Sequence, residues 1–594
     1  MKYLNKYADT SKLEKIKDLK HLQRYVSARY SNKTCYTYRR DGKIQSITFN
    51  DHKNMTDALG TAFYDMDLMG KRVALLCETR YEWSVTYLAV ANGGGVIVPL
   101  DKEIRPEQII NFIERSGASA VVYSSERKEA IEEYAKNPDC KIKYFINMDY
   151  TQRDINQMHG LNNIYSFTAL LESGRKRLND GCVSFTEAIV DPAKMCVILF
   201  TSGTTGTSKA VMLSHENMAS SIYDSACGVD YNSSDRLVSV LPVHHTYEST
   251  CGIFATYALG CEVCINDSLK MVLRNFNAYK PTALVLVPLF VDTMIKKIWD
   301  EIEKRGKTKL VKGAIILSNA LRRLGIDMRR TLFKEILDSF GGELRLIISG
   351  GAPLNPAHIP VFDSFGITLV QGYGTTECAP LLSVVPSEFV MKKIGSAGYP
   401  VFGVELKIDS PVGDKYGEIL ARGKNVMLGY MDNPEATSEC MTDDGFYRTG
   451  DIGYLDEDGF LFITGRKKNV IVLSNGKNIY PEEIEEYLSQ SELISECVVI
   501  ARRKTSEYNS GEIILCALIY PNFEKFADDK TADGSAETDG DRKHQDMDEI
   551  YAAIKKEVDK INKKLPIYKQ INIVELRETE FEKTASRKIM RNKF

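Results

Sequence analysis

Seven short apolar runs alternate along the first 350 residues with stretches of helical periodicity: KRVALLC (71–77), GGVIVPLD (94–101), SAVVYS (119–124), KYFINMD (143–149), MCVILF (195–200), TALVLVP (282–288) and LRLIISG (344–350). Runs this apolar suit strands covered on both faces, and their spacing leaves room for a crossover helix between successive strands. The alternation therefore predicts an α/β architecture built on largely parallel sheets. At 594 residues the chain is too long for one core, so at least two domains are expected. From about residue 417 the texture changes to GEILARG, GFLFITGRKKNVIVLSNGKNIYPEEIEEYL, CVVIARR and EIILCALIY, with a closing amphipathic helix in DEIYAAIKKEVDKINKKL. That pattern predicts a smaller α+β module. Residues 524–549 carry ten Asp/Glu against four Lys/Arg and few apolar side chains, which predicts a surface insertion or disordered loop.

Several function classes are disfavoured by composition. A net charge of −3 gives no reason to expect a nucleic-acid partner. The longest apolar stretch, TALVLVPLFV (282–291), is too short to cross a bilayer, and the first residues lack an apolar signal core, so a cytoplasmic location is expected. Thirteen cysteines show no disulfide-like framework; the close pair Cys261 and Cys264 lacks the further ligands of a zinc site and reads as two small buried hydrophobes. Charge is uneven, however. Residues 1–40 hold eleven Lys/Arg against three Asp/Glu, which suits either a solvated helix face or peripheral contact with an anionic membrane surface.

The chemistry concentrates behind the run MCVILF, in LFTSGTTGTSKAVMLSHEN (199–217). A Walker loop places its lysine directly after its second glycine; here Gly203 and Gly206 are separated by two residues, Lys209 comes three after Gly206, and Ala210 stands where a magnesium-binding hydroxyl would be. The stretch still offers glycine-exposed backbone N–H groups, the hydroxyls of Thr201, Ser202, Thr204, Thr205, Thr207 and Ser208, and one cation, Lys209. Those groups suit a polyphosphate. Downstream follow SGGAPL (349–354), QGYGTTECAP (371–380), YRTGDIG (447–453), GRKKNVIVLSNGKNIYPEEIE (465–485) and KTASRKIMR (583–591).

In this order the segments resemble the AMP-forming adenylating superfamily of acyl- and aryl-CoA synthetases, peptide-synthetase adenylation domains and beetle luciferases, over nearly the whole chain. LPVHHTYEST (241–250), FGGELRLIISGGAPLNP (340–356) and ITGRKKNVIVLSNGKNIYPEEIEEYL (463–488) look most like the long-chain fatty acyl-CoA synthetases. The resemblance implies a large multi-sheet N-terminal domain (1–467) that binds AMP and the acyl group, joined by a hinge at Lys468 to a mobile C-terminal domain (468–594). It implies ATP, Mg2+ and a fatty acid as ligands, with coenzyme A as acceptor. An acyl carrier protein is the alternative acceptor, and a catalytically silent acyl or nucleotide sensor the alternative role.

Residue roles carried over from the resemblance are these. The loop Thr201, Ser202, Gly203, Thr204, Thr205, Gly206 and the cation Lys209 would hold the β- and γ-phosphates. Gly351, Ala352 and Pro353 would border the adenine, Tyr373 would offer a flat face, Thr376 would place a hydroxyl near the α-phosphate, and Gly374 and Thr375 beside it would belong to the same nucleotide site. Glu377 would associate with magnesium, Asp451 would bind the two ribose hydroxyls, and Arg466 would reach the ribose or a phosphate. His245 would sit beside the acyl pocket or act as an ordinary core histidine, with Tyr247 at the tunnel. Gly476 and Lys477 would line the thiol tunnel, and Lys588 would offset charge during adenylation. Many members carry proline and glycine where this chain has Glu582 and Arg587, which leaves the division of labour between Arg587 and Lys588 open.

Overall fold

The structure is a computed structural model that describes residues 6–158, 163–201, 208–410, 414–473, 478–503, 513–527, 539–583 and 589–594. Each of the seven apolar runs forms a strand, but they are shared between two sheets. The eight-stranded sheet takes five of them and runs in the order Gly429–Tyr430, Lys209–Ser214, Met195–Thr201, Val96–Pro99, Arg72–Leu76, Ala120–Tyr123, Tyr144–Asn147, Ile164–Ser166. From Met195–Thr201 to Ile164–Ser166 its pairs are parallel, with Ala74 opposite Val98 and Val121, as expected when crossover helices cover both faces. Helix Tyr81–Asn92 is one such crossover, apolar enough that nearly every residue in it is buried. A core of Ala74, Leu76, Val98, Ile109, Val121 and Phe145 forms on this sheet.

The nine-stranded sheet has the order Tyr399–Pro400, Leu381–Val384, Thr368–Gly374, Leu346–Ser349, Ala283–Leu286, Arg236–Ser239, Glu262–Ile265, Thr34–Arg40, Lys43–Thr48. Its central strands are parallel, and Leu286, Ser349 and Gln371 share one register row, so their chain ends emerge side by side. In open α/β sheets, ligands bind at the carboxyl ends of such strands. Cys261 and Cys264 are buried at the strand Glu262–Ile265, where the Cys261 thiol lies 3.2 Å from Asn232 O.

Contacts divide the chain into two compact units: Met1–Lys407 with Leu420–Arg448 and Glu457–Leu461, and Ile408–Ile419 with Thr449–Asp456 and Phe462–Phe594. The second unit contains a three-stranded sheet in which Ile494–Arg503 pairs antiparallel with Ile513–Pro521, and Ile513–Pro521 pairs parallel with Ile573–Leu576. Its core joins Ile484 and Leu488 to Val499, Leu515, Ala517 and Ile519, with Ile550, Ile554, Val558 and Ile561 of the long helix Asp539–Asn562. That helix narrows the expected loop at 524–549. Phe523–Ala527 is helical, and the long helix already begins at Asp539, because the apolar stripe from Met547 to Ile561 has a sheet to pack on. Residues 528–538 lie outside the described residues.

Six of the eleven N-terminal cations are engaged within the first unit. Lys12 donates to Val229 O, Lys20 to three backbone carbonyls, Arg24 to Thr186 O and Lys33 to Gly260 O, while Arg39 and Arg40 pair with Asp267 and Glu82. The charge run is largely spent on holding the first 40 residues to the fold. Among the described residues, no helix is long and apolar enough to cross a membrane.

Candidate functional site

Strands Met195–Thr201 and Lys209–Ser214 form an antiparallel hairpin in which Thr201 faces Lys209 and its hydroxyl donates to Lys209 O across 3.3 Å. The connection between them, containing Ser202, Gly203, Thr204, Thr205 and Gly206, lies outside the described residues. Its second strand leads directly into helix His215–Gly228, whose first turn is closed by a capping box between Ser214 and Asn217.

The residue that organises this corner is one that sequence reading did not single out. Tyr430, on the short strand Gly429–Tyr430, pairs with Val211, two residues beyond Lys209. Lys209 Nζ lies 4.5 Å from the centroid of the Tyr430 ring, a cation–π distance, and the Tyr430 hydroxyl donates to Glu377 Oε1 across 2.9 Å. Burial raises the Tyr430 phenol above its usual range and the Glu377 charge raises it further, so it remains a donor. Tyr447 is raised in the same way, by burial first and then by Glu377. Cys440 is also raised, by burial and then Glu377, with Lys209 opposing the shift. One carboxylate and one ammonium thus act on the same small volume. The available signals were the tyrosines of GYMDNPEAT and YRTGD, which follow no spacing that links them to Lys209.

Glu377 itself stands in a single 3-10 turn, Thr376–Cys378, just after strand Thr368–Gly374. Thr375 N donates to Pro380 O, Met427 N donates to Glu377 O across 2.8 Å, and Asn425 Nδ2 donates to Cys378 O and Leu381 O. Gly374 is required by the tight return of this turn, since a Cβ there would lie 1.9 Å from Pro380 O. The result is a half-buried carboxylate on a braced backbone.

Gly351 follows strand Leu346–Ser349 with φ +81°, a conformation that favours glycine, and turns the chain into Ala352 and Pro353. Tyr373 ends the neighbouring strand, so both expected nucleoside-facing segments emerge from adjacent carboxyl ends. Tyr247 belongs to the same corner: its hydroxyl lies 3.0 Å from Ile348 O and 3.3 Å from Leu286 O. It opens an eight-residue π-helix, Tyr247–Phe254, a form rare enough that no sequence pattern announced it. His245 is exposed, its ring 4.1 Å from that of His244. Burial and the neighbouring His245 hold the His244 imidazole well below its usual pKa. Glu248, the second residue of the π-helix, is buried with its carboxyl raised to about 8.

In the second unit Asp451 stands on strand Tyr447–Leu455, hydrogen-bonded in the sheet to Leu461–Arg466. Its carboxylate is 4% exposed and lies 2.7 Å from Arg466 Nε, while its backbone N–H donates to the Thr449 hydroxyl. Lys468 lies in the 3-10 turn Lys467–Asn469, whose neighbours are tied down by Lys467 to Glu418 at 2.8 Å and by Asn469 Nδ2 to Glu482 Oε1 at 2.5 Å. Burial and then Arg466 lower the Lys468 ammonium, opposed by Asp451 and Glu482.

Gly476, Lys477, Arg587 and Lys588 lie outside the described residues. The frame around the last two is clear, however. Lys583 and Ile589 form an antiparallel bridge, Met590 N donates to Glu582 O, Lys583 pairs with Glu496, and Arg591 pairs with Glu485.

The family profile described as AMP-binding enzyme matches residues 23–431, and the AMP-binding enzyme C-terminal domain matches residues 468–530. Among similar proteins, the long-chain-fatty-acid–CoA ligase FadD15 of Mycobacterium bovis is 28% identical over 492 residues, covering 78% of this chain and 76% of the relative. The chloroplastic long-chain-fatty-acid–[acyl-carrier-protein] ligase AEE15 of Arabidopsis thaliana is 26% identical over 527 residues, covering 77% of this chain and 69% of the relative. The solved structure of the anthranilate CoA ligase AuaEII with anthranoyl-AMP superposes with a TM-score of 0.72 at 20% identity, covering 98% of each chain.

Proposed function

The chain belongs to the AMP-binding enzyme family, and from that premise we propose that it uses ATP to convert a fatty acid into an acyl adenylate and passes the acyl group to coenzyme A, releasing AMP and pyrophosphate. The observation that carries this reading is the Lys209–Tyr430–Glu377 assembly at the base of the glycine- and hydroxyl-rich hairpin. It supplies a fixed cation for phosphate oxygens and a hard oxygen donor held in one orientation.

A carboxylate is a poor electrophile. Attack of one of its oxygens on the α-phosphorus of ATP forms a C–O–P linkage and breaks the bond to the departing pyrophosphate. A thiol then attacks the acyl carbon and expels AMP. Lys209 binds phosphate oxygens, with the loop Ser202 to Gly206 closing over them. Glu377 would hold magnesium, which takes one or two protein carboxylates plus phosphate oxygens; a carboxyl group with one oxygen fixed by the Tyr430 hydroxyl fits that demand. When bound, the ion neutralises charge on the phosphates. Asp451 accepts from the ribose hydroxyls and is oriented by Arg466. Lys588 offsets the charge where carboxylate and α-phosphate meet. Lys468 is the hinge about which a second pose brings Gly476 and Lys477 to the thiol.

The relationship to FadD15 and to the murine long-chain-fatty-acid–CoA ligase 5 supports a long-chain acid as substrate. A second reading, transfer to an acyl carrier protein, is favoured by the relationship to AEE15. Exchange of labelled pyrophosphate into ATP, scanned over acids of increasing chain length, tests the first half-reaction. Palmitate with coenzyme A or carrier protein supplied separately tests the second. Exchange with long acids and thioester on coenzyme A is expected. Thioester on the carrier alone would replace the acceptor, and no exchange with any acid would overturn the enzyme reading.

A further inference from the structure

The helix Thr308–Arg323 is apolar on two faces. Val311, Ile315, Ser318 and Leu321 turn toward the protein and are at least partly covered, as a surface helix requires. On the opposite side Leu310, Ile316, Leu317 and Leu324 are 68%, 71%, 55% and 77% exposed. With Gly313 and Ala320 they fall within about one third of the helix circumference at 100° per residue. Ile326 and Met328 extend the exposed apolar surface past the helix end. Lys309, at the first turn, falls inside this arc and the rest of it is apolar; soluble proteins rarely leave such a band open.

Beside the band lies positive charge. From Lys304 to Ile326 the chain carries seven Lys/Arg and no Asp or Glu. Lys307 and Arg322 are paired with Glu335 and Asp363. Lys309, Lys312 and Arg323 have no acidic partner among the described residues, and all three project from the exposed half of the helix.

We propose that this helix docks the protein on an anionic lipid bilayer, lying in the interfacial plane with Leu310, Ile316, Leu317 and Leu324 among the acyl chains and Lys309, Lys312 and Arg323 at the headgroups. An exposed apolar stripe flanked by unpaired cations is the signature of an interfacial helix. A second copy of the chain is a poorer occupant, because the same helix in that copy is equally basic and carries no Asp or Glu, and Asp327 just beyond it is paired with Arg329. An acidic carrier protein would match the cations, but the exposed Leu310, Ile316, Leu317 and Leu324 call for an apolar medium rather than a charged surface. The surface differs from the N-terminal charge run, whose cations are largely engaged internally. If the acid is a fatty acid, docking also holds the enzyme where such a substrate dissolves; that consequence rests on the proposed function, whereas the docking does not.

The test is flotation of the full chain with vesicles of phosphatidylcholine alone or mixed with equal phosphatidylglycerol, at low and raised salt. Binding to the anionic vesicles, weakened by salt, is expected. Each cation removed from the set Lys309, Lys312 and Arg323 should weaken it about five-fold. Leu317→Asn with Leu324→Asn should abolish it while shifting the melting temperature little, since both side chains are more than half exposed. Leu317→Trp should show a blue-shifted emission on anionic vesicles only. Failure to bind, or binding indifferent to Leu317 and Leu324, overturns the proposal. So does a dimer in sedimentation, or a complex with carrier protein, that Leu317→Asn with Leu324→Asn dissociates in the absence of vesicle binding.

Discussion

The Tyr430 hydroxyl donates to Glu377 Oε1 across 2.9 Å. The same ring lies under the Lys209 ammonium, so one side chain fixes the positions of a carboxylate and a cation that are 168 residues apart in sequence. Tyr430→Phe keeps the ring for Lys209 and removes only the hydrogen bond. Losing a partner that orients a metal-binding carboxylate typically costs about 10- to 100-fold in metal affinity or activity. In pyrophosphate exchange, the magnesium dependence of Tyr430→Phe should therefore shift to higher concentration while the response to ATP changes little. Glu377→Gln should cost more, because it removes the ligand charge itself. An unchanged magnesium response in both variants would remove this corner from the metal site.

Asp451 makes a separable prediction. It is almost fully buried and fixed by Arg466, which suits a carboxylate that accepts from two adjacent hydroxyls at once. Asp451→Asn turns half of that acceptor into a donor. The KM for ATP should rise by roughly 10- to 100-fold, the range for losing a hydrogen bond to a charged group. Comparison with 2′-deoxy-ATP supplies the specific readout. The native enzyme should discriminate against the deoxynucleotide and the variant should not. Equal discrimination by both would mean that Asp451 supports the sheet rather than the ribose.

What could be read from sequence follows from the range of each interaction. The strands at 71–77, 94–101 and 344–350 were legible because a doubly covered strand must be locally apolar. Glu377, Asp451 and Lys209 could be singled out because their motifs are contiguous, and the structure brings Glu377 and Lys209 together on Tyr430. Tyr430 was not, since it reaches Lys209 only through an antiparallel pairing with the hairpin strand, and nothing in GYMDNPEAT specifies that pairing. The closing helix was legible in DEIYAAIKKEVDKINKKL, but its start at Asp539 was not, because the acidic residues before Met547 read as loop and the apolar stripe that anchors the helix lies after them, against Leu515 and Ile519. The π-helix at Tyr247 depends on tertiary packing and has no local signature.

That π-helix carries a pH prediction. Glu248 is 2% exposed, its Oε1 receives the Ser239 hydroxyl, and burial raises its carboxyl from 4.5 to about 8. Between those values the folded protein keeps a proton that the unfolded chain has released. Stability therefore falls as pH rises through this window and levels off above it, by about 1.4 kcal/mol for each unit of pKa difference. Asp224, raised to about 7 by burial, adds a slope of the same sign. Glu248→Gln preserves the shape and cannot ionise. Melting followed by circular dichroism should show the variant more stable than the native protein above about pH 8, with the gap closing toward pH 4.5. Parallel curves would mean that Glu248 ionises without penalty.

The last prediction concerns the cation near the chain's end. In the proposed two-pose mechanism, a residue used in one pose should matter for one half-reaction. Lys588→Ala removes the charge that offsets two anions brought within bonding distance, and loss of one preorganised stabiliser typically costs about 100- to 1000-fold in rate. Pyrophosphate exchange should fall by that factor. Thioester formation from supplied acyl adenylate and coenzyme A should stay near normal, because the proposed rotation about Lys468 carries Lys588 away. Arg587→Ala is the essential comparison, since a second cation stands directly beside Lys588. The bridge from Lys583 to Ile589 fixes both ends of the segment, so a one-residue exchange of roles would need no change in its frame. If Arg587→Ala abolishes exchange and Lys588→Ala does not, the cation has moved by one position. If Lys588→Ala slows both half-reactions equally, one pose serves both steps and the hinge at Lys468 has no catalytic part.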